Sequence, residues 1–340
     1  MAMYLGGKSP IGIQHELFQE IRNRIPGNQS FADTIAGVLE IGIDSAYRRI
    51  RGEKAITLEE AKKLGDHFQV SLDKVLSQGQ SSDQIVFQNQ VRAGTDFAGY
   101  LDALLEQTLI FKKQGNAMVY FDAKDFAPFQ LFHFNFLTRF KMFFWLKAIL
   151  GYPEFTNMSF EDYQPDELYM RTVHNIALNY CKLPSTEIWS IDTIHTTIRQ
   201  LEYVKYAGYC KDPKSLITVF DEFEALVNHL KSQAEQGRKF VYGTKPDEEA
   251  GLFHLYYNET YLGNNTVLVT SENQQQVFMN YNVLSYLTSG NTEFCRQTKQ
   301  FIDNAIQKSV LISATGEKDR NRFFRNISIK LSEARSALLA

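Results

Sequence analysis

Apolar residues in the first eighty positions recur at helical spacing in five short blocks that turn residues separate. The block QHELFQEIRNRI at 14–25 puts its apolar side chains on one face, and Pro26-Gly27 ends it. The next block, 30–39, opens with Ser30, which can cap a helix, and Asp33 occupies the capping-box position three residues later. The pattern predicts two helices before a break at residues 40–42.

The remaining three blocks predict shorter helices of the same compact domain. Gly42 lies at the break, and a third helix is predicted over 43–51, with Ala46 and Ile50 facing inward and Gly52 at its end. Its outward residues are predicted to be Ser45, Tyr47, Arg48, Arg49 and Arg51. Thr57 and Glu60 form a second capping box before a helix to residue 68, and Ser71 caps a last one.

The stretch FADTIAGVLEIGIDSAYRRIRGEKAITLEEAKKLGDHFQVSLDKVL resembles the lambda-repressor-like, or Xre, family of helix-turn-helix transcriptional regulators. The matching features are two small residues in the second helix, the Gly42 turn, the R-x-x-x-G run at 48–52, the capped fourth helix and the closing V-S-L-D-x-L. The resemblance covers residues 14–78, which we call the head. It implies a domain that places its third helix in the major groove of double-stranded DNA, and a homodimer that binds an inverted repeat.

The resemblance also implies roles for individual residues of the head. The start of the third helix would meet base edges, and Arg48 or Arg49 would read guanine, because arginine is its best bidentate reader. Arg51 and Lys54 would hold phosphate, and Gln29 and Ser30 would anchor a phosphate at the start of the second helix. The predicted DNA-binding residues are Gln29, Ser30, Asp44, Ser45, Tyr47, Arg48, Arg49, Arg51 and Lys54.

The charge distribution agrees with local rather than general DNA binding. The whole chain has a formal net charge of −3, which argues against a protein that coats nucleic acid. Residues 1–78 hold as many basic as acidic residues. Four basic residues nevertheless fall within positions 48–54, with Glu53 as the single acid among them. A compact basic face on a neutral domain suits phosphate contact.

Composition and hydropathy indicate a globular protein of a reducing compartment. Of the 340 residues, 44% are hydrophobic and 22% charged, and the three cysteines show no C-x-x-C spacing. The most hydrophobic window, Leu131–Leu150, carries three basic residues in its inner half, which predicts a buried amphipathic helix and leaves an interfacial helix as the alternative. We expect a cytoplasmic protein with no signal peptide and no membrane partner.

Residues 92–340 are predicted to form an α+β domain after a polar linker at 79–91. Helices are expected over 92–113, 125–150, 166–182, 188–208, 213–236, 292–311 and 317–338, and strands over 117–121 and 238–242. Turn signals divide 252–287 into a three-stranded antiparallel meander. The predicted fold is therefore mainly α with a small antiparallel sheet: a five-helix helix-turn-helix domain plus a larger α+β domain.

Known catalytic, nucleotide-binding and metal motifs are absent from the sequence, and the histidines are dispersed. We therefore expect no enzyme activity, no catalytic residue, no metal and no cofactor. Tyrosines and asparagines on the predicted meander suggest a pocket for a small-molecule or peptide effector: Tyr256, Tyr257, Tyr261, Tyr281, Asn258, Asn280 and Asn282. The C-terminal domain would dimerise or sense a signal. Two alternatives stay open, a head that recruits a protein and an enzyme of unknown type in residues 92–340.

Overall fold

The chain divides into two compact units, residues 1–84 and 85–340, in a computed structural model. The structure describes residues 10–22, 24–25, 30–68, 70–77, 88–89, 97–260, 263–272, 274–282 and 285–339. The boundary falls within the predicted linker 79–91, of which only residues 88–89 are described. The helix expected over 92–113 is described from Phe97 onward.

The described residues of the first unit form five helices, which enclose a small apolar core. They are α1 (Pro10–Arg22), α2 (Phe31–Leu39), α3 (Ile43–Ile50), α4 (Leu58–Phe68) and α5 (Leu72–Ser77). The Ser30 hydroxyl accepts a hydrogen bond from the Asp33 amide, and Thr57 and Glu60 make a reciprocal capping box, so the N-caps predicted at Ser30 and Thr57 are confirmed. Leu17, Ile35 and Leu64 lie in the core between the helices.

Residues 40–42 separate α2 from α3, as predicted. Gly42 has an ordinary extended backbone and caps the start of α3. Glu40, two residues earlier, has the left-handed backbone, with φ at 59°, and its amide donates back to α2 carbonyls. A side chain in that region costs about 1–2 kcal/mol relative to right-handed backbone.

The second unit is a sheet with helices on both faces. Its helices are α6 (Phe97–Lys113), α7 (Pro128–Leu131), α8 (Asn135–Phe144), α9 (Glu167–Lys182), α10 (His195–Tyr206), α11 (Ile217–Gln236), α12 (Thr292–Gln307) and α13 (Glu317–Leu339). Its strands are β1 (Gln88–Asn89), β2 (Met118–Asp122), β3 (Ser185–Trp189), β4 (Phe253–Tyr257), β5 (Thr266–Thr270), β6 (Gln275–Asn282), β7 (Ser285–Ser289) and β8 (Val310–Leu311). Short 3-10 turns occur at 153–155, 191–194 and 213–216, and a π turn extends α8 over 145–149.

The predicted small antiparallel sheet is wrong, because the eight strands form one mixed sheet in the order β1-β7-β6-β5-β2-β3-β4-β8. Strands β2, β3 and β4 are parallel neighbours, and the other pairings are antiparallel. Helices α7, α8 and α9 connect β2 to β3, and α10 and α11 connect β3 to β4. Long helical crossovers are what parallel pairing requires.

The predicted meander is also wrong in its first strand. Strands β5, β6 and β7 pair antiparallel in sequence order, but β4 lies beside β3, and both β2 and β3 separate it from β5. Gly251 makes the approach of β4 possible, since a Cβ there would lie 2.5 Å from the carbonyl oxygen of Leu183. Residues 238–242 form a single bridge at Arg238 rather than the predicted strand.

Sequence patterns missed strand β3, because its last two residues fall in the helix predicted over 188–208 and residues 185–187 lie outside every predicted element. All five of its residues are buried, including Glu187. The Glu187 carboxylate is satisfied by hydrogen bonds from the Tyr180 and Ser185 hydroxyls and from the Trp189 indole. A buried polar group costs little when it is fully hydrogen-bonded, so β3 does not need the apolar sequence that usually marks a central strand.

Two cores flank the sheet. The larger core is formed by most of the helices of the second unit and includes apolar residues of the window Leu131–Leu150. The helix predicted over 125–150 is instead divided into α7, a break, and α8 with its π turn. The smaller lies under α12, where Leu268, Val277 and Ile302 meet. Within the described residues, no helix has both the length and the apolar character that crossing a bilayer requires.

Candidate functional site

Helix α3 and the loop after it carry the exposed basic residues of the head. Arg48 and Arg51 each leave 59% of their side chains exposed, Tyr47 is 46% exposed, and Lys54 and Asp44 are also exposed. We call these five residues the α3 surface. Ser45, the remaining predicted residue on this helix, is half-buried. The structure therefore brings most of the predicted contact residues of α3 to one exposed region.

Glu53 lies between the two arginines of the α3 surface. Its carboxylate is 2.8 Å from Nε of Arg51 and 3.9 Å from Nε of Arg48. Exposed ion pairs of this kind contribute about 0–1 kcal/mol. Both guanidinium groups can therefore leave Glu53 for a stronger anionic partner at small cost.

Arg49 does not face outward, and this part of the prediction is wrong. Its side chain is 6% exposed, and its guanidinium donates to both Glu60 oxygens at 2.6 and 3.0 Å and to the Ser45 carbonyl. These hydrogen bonds lower the pKa of the Glu60 carboxyl. Arg49 therefore connects α3 to the start of α4. The sequence held a signal for its position, since residue 49 follows the inward Ala46 by three and shares its face.

Gln14 on α1 is a residue that sequence reasoning did not single out. Its buried side chain donates to the carbonyls of Arg49 and Lys54 at 2.6 and 2.9 Å and accepts from the Ile56 amide at 2.9 Å. These three hydrogen bonds attach the loop that carries Arg51 and Lys54 to α1. The contacts span 35 to 42 positions, which is why a local pattern did not reveal them.

The predicted phosphate anchor at the start of α2 is described in part. Ser30 is exposed and uses its hydroxyl to cap the helix, while Gln29 lies outside the described residues. Backbone N–H groups of a first helical turn face outward and attract anions. The position of Ser30 is consistent with the expected role, and nothing is described of Gln29.

The second unit contains a cavity of about 490 Å³ between the sheet and the helices α6, α7, α8 and α10. Among the described side chains of the predicted tyrosine and asparagine cluster, Asn280 alone contributes to the lining, and Tyr281 is exposed. Tyr261 and the Asn282 side chain lie outside the described part of the chain. The tyrosines that line the cavity are Tyr100, Tyr180 and Tyr286. The cavity is therefore a different place from the predicted pocket.

A group of buried polar side chains lies behind Tyr180. The ammonium of Lys239 is 3.6 Å from the centre of the Tyr180 ring, and burial lowers its pKa to about 8. Burial likewise lowers the pKa of His133 to about 3 and that of His229 to about 4. The His229 Nε2 lies 2.9 Å from the Phe240 carbonyl and 3.0 Å from the Gln233 side-chain nitrogen. Across the described residues, no group of three or more His, Cys, Asp or Glu side chains is placed to hold a metal ion.

Comparisons with known proteins add no relative. No protein-family model matches the chain, and neither the curated proteins nor the solved structures contain a match. The resemblance of residues 14–78 to the Xre family therefore depends on the residues quoted for it, and it stays a prediction.

Proposed function

We propose that the protein is a sequence-specific DNA-binding transcriptional regulator, in which the head binds double-stranded DNA through α3. The observation that carries the proposal is the α3 surface, where Tyr47, Arg48, Arg51 and Lys54 are exposed on a short helix and its following loop. Guanidinium and ammonium groups are the side chains that neutralise phosphate and read guanine. The family resemblance of the head supports the same conclusion.

The burial of Arg49 narrows the proposed roles. Arg48, on the exposed side of α3, is the base reader, because Arg49 is already held by Glu60. Arg51 and Lys54 contact phosphate, and the start of α2 at Ser30 anchors a further phosphate. Asp44, Ser45 and Tyr47 complete the surface that meets base edges.

Glu53 would act as an internal competitor for DNA. In the free protein it pairs with Arg48 and Arg51. Its carboxylate would also approach the phosphate backbone, where a negative charge is unfavourable. Binding therefore has to break weak ion pairs and accommodate one acid, which lowers non-specific affinity.

The second unit would dimerise the protein or sense a signal. A homodimer with two heads would bind an inverted repeat whose symmetry matches that of the protein. A cytoplasmic location fits the cysteines, all three of which are free and buried.

The test is binding of the full chain to duplexes obtained by random-sequence selection, followed by fluorescence anisotropy between about 50 and 200 mM salt. Arg48→Ala should cost about 1–3 kcal/mol at the selected site and relax specificity. Arg51→Ala should weaken all sequences alike and reduce the salt slope by about one. Lys62→Ala is the control, because it removes one exposed charge from α4, outside the α3 surface.

Two results would contradict the proposal. One is the absence of duplex binding at low salt, or binding with no salt dependence, which would favour a head that recruits a protein. The other is unchanged affinity in both Arg48→Ala and Arg51→Ala. Glu53→Gln provides a test in the opposite direction, since it should strengthen binding to every sequence.

A further inference from the structure

The cavity of the second unit has the size of a small-molecule site. Its volume of about 490 Å³ lies within the range of about 300–1,000 Å³ that is typical of ligand pockets. At about 30 Å³ for each water-sized atom, it holds roughly 16 non-hydrogen atoms. It lies between α6 and the sheet face on which Val267 and Val269 point away from the α12 core.

Most of the wall is aliphatic or aromatic. The apolar lining residues include Leu104, Phe111, Phe121, Trp145, Val269 and Phe278. Removing an apolar ligand surface from water into such a wall is favourable by about 25 cal/mol per Å². The wall therefore selects a ligand with an apolar body.

The charged residues of the lining are Lys124, Asp125 and Lys141, which leaves an excess of one positive charge. Lys124 is exposed, whereas the Lys141 side chain is only 2% exposed. The Lys141 ammonium is 2.8 Å from the neutral amide oxygen of Gln200 but 3.6 Å from the Asp125 carboxylate. Asp125 therefore neutralises the buried Lys141 ammonium only partly, because the two groups are 3.6 Å apart.

The hydrogen-bond acceptors near Lys141 are already used by the protein, except for the Asp125 oxygen that lies 3.6 Å from the Lys141 ammonium. The Gln200 oxygen accepts from Lys141, and one Asp125 oxygen accepts from the Phe126 amide. The Asn265 oxygen accepts from the backbone amides of Lys124 and Asp125. Since those partners are all donors, the orientation of both side-chain amides is fixed.

What remains for a ligand is a set of donors. The described residues provide no partner for the NH₂ groups of Gln200 and Asn265, and Lys141 has three N–H donors for two described neighbours. All three side chains line the cavity. Donors around a positive charge select an anionic acceptor. An ammonium head offers no acceptor, and a hydroxyl head can accept a hydrogen bond but brings no negative charge.

We propose that this cavity binds a monocarboxylate with an apolar body of about 8–13 carbon atoms, the size that the volume allows, with its carboxylate at Lys141, Gln200 and Asn265. The ligand class is that of medium-chain fatty acids and similarly sized aryl-alkyl acids. The site lies in the second unit, and its test measures the ligand itself. Its failure and the failure of DNA binding by the head are therefore separate results.

The experiment is isothermal titration calorimetry of the full chain with decanoate, 1-decanol and decylamine, each kept below its micelle concentration. Decanoate should bind best, because the alcohol lacks the charge and the amine has the opposite sign. Hexanoate should bind more weakly, because it buries less apolar surface, and hexadecanoate should bind more weakly, because it exceeds the cavity. Phenyl-alkyl carboxylates of the same size separate an aliphatic from an aromatic preference within the class.

Variants locate the binding. Lys141→Met should lower decanoate affinity by about tenfold or more, the value of a charge-assisted hydrogen bond, and leave decanol unchanged. Ala103→Phe, which fills the cavity from α6, should weaken both ligands. Asp102→Ala, an exposed neighbour on the same helix outside the lining, is the control and should bind decanoate normally. Circular dichroism checks that each variant is folded.

The proposal fails if decanoate does not bind the wild-type chain, or if decanol or decylamine binds as well as decanoate. It also fails if a folded Lys141→Met or Ala103→Phe variant keeps full decanoate affinity. Should Lys141→Met not fold, the comparison of the three head groups on the wild-type chain and the Ala103→Phe variant still decide the outcome.

Discussion

Removing the Gln14 side chain should destabilise the head and loosen the part of it that carries the proposed phosphate contacts. Gln14→Ala leaves the Lys54 carbonyl and the Ile56 amide without their hydrogen-bond partner, whereas the Arg49 carbonyl keeps a bond from the Gly52 amide. A backbone group left unsatisfied costs about 1–3 kcal/mol. Two such groups, partly accessible to water, give a loss of about 2–4 kcal/mol.

Hydrogen–deuterium exchange with mass spectrometry measures this loss in the full chain, because peptides from residues 43–57 report on the head separately. The expected loss corresponds to roughly 30- to 900-fold faster exchange, at about 1.4 kcal/mol for each factor of ten. Gln14→Glu is a second variant, which keeps the acceptor for Ile56 but removes both donors and places a carboxylate beside two carbonyls. It should be at least as damaging as Gln14→Ala.

The matched control is Gln19→Ala, since Gln19 lies on the same helix, is exposed and contacts only His15 among the described side chains. Its exchange should stay at the wild-type rate. The reasoning is refuted if Gln14→Ala changes exchange by less than a factor of two, or if Gln14→Glu is as stable as the wild type. Gln14→Ala and Gln14→Glu should also bind DNA more weakly, because the loop that Gln14 holds carries Arg51 and Lys54.

Three further predictions concern backbone strain and buried charge. Glu40→Gly should stabilise the head by about 1 kcal/mol by relieving the left-handed backbone, and Glu40→Ala should not, as head exchange rates will show. Lys239→Met should stabilise the second unit at pH 7 by about 2–3 kcal/mol, measured in urea titrations followed by tryptophan fluorescence. This gain in stability should shrink as the pH rises from 8 to 10.5, because Lys239 of the folded protein is then neutral. An equal gain at pH 7 and pH 10.5 would contradict the prediction. His133 and His229 keep lowered pKa values when folded but protonate below about 6.5 when unfolded. The second unit should therefore lose stability as the pH falls from 6.5 to 4. His133→Phe should reduce the slope of unfolding free energy against pH by about 1.4 kcal/mol per pH unit. An unchanged slope would contradict the burial of His133 as the cause.

The locations of the five head helices could be predicted because their signals are local. A capping box joins residues three positions apart, as at Thr57 and Glu60, and an apolar face repeats every three to four residues. The roles of individual side chains were harder to predict from the sequence. Arg49 is basic and lies among exposed arginines, but its bidentate partner is eleven positions away on another helix.

The sheet shows where local information ends. Strand candidates were found at β2 and over β4, β5 and β6, but the pairing of β2 with β3 and β5 joins residues about 65 to 150 positions apart. The STEIW segment of β3 shows no clear alternation of apolar and polar residues. Its Glu187 is buried nevertheless, because the folded structure supplies hydrogen bonds to the carboxylate. Without β3, the parallel core of the sheet could not be predicted.

The sequence by itself determined the helical head, its two capped helices and the concentration of basic residues around α3, because these features depend on neighbours within one or two helical turns. Only the tertiary structure decided that Arg49 pairs with Glu60, that Gln14 holds the loop, and that the sheet is mixed. It alone also brought Lys141, from the most hydrophobic stretch of the chain, beside Gln200 and Asn265. The physical reason is that burial, hydrogen-bond satisfaction and cavity shape are set by residues distant in sequence, and no local pattern encodes them.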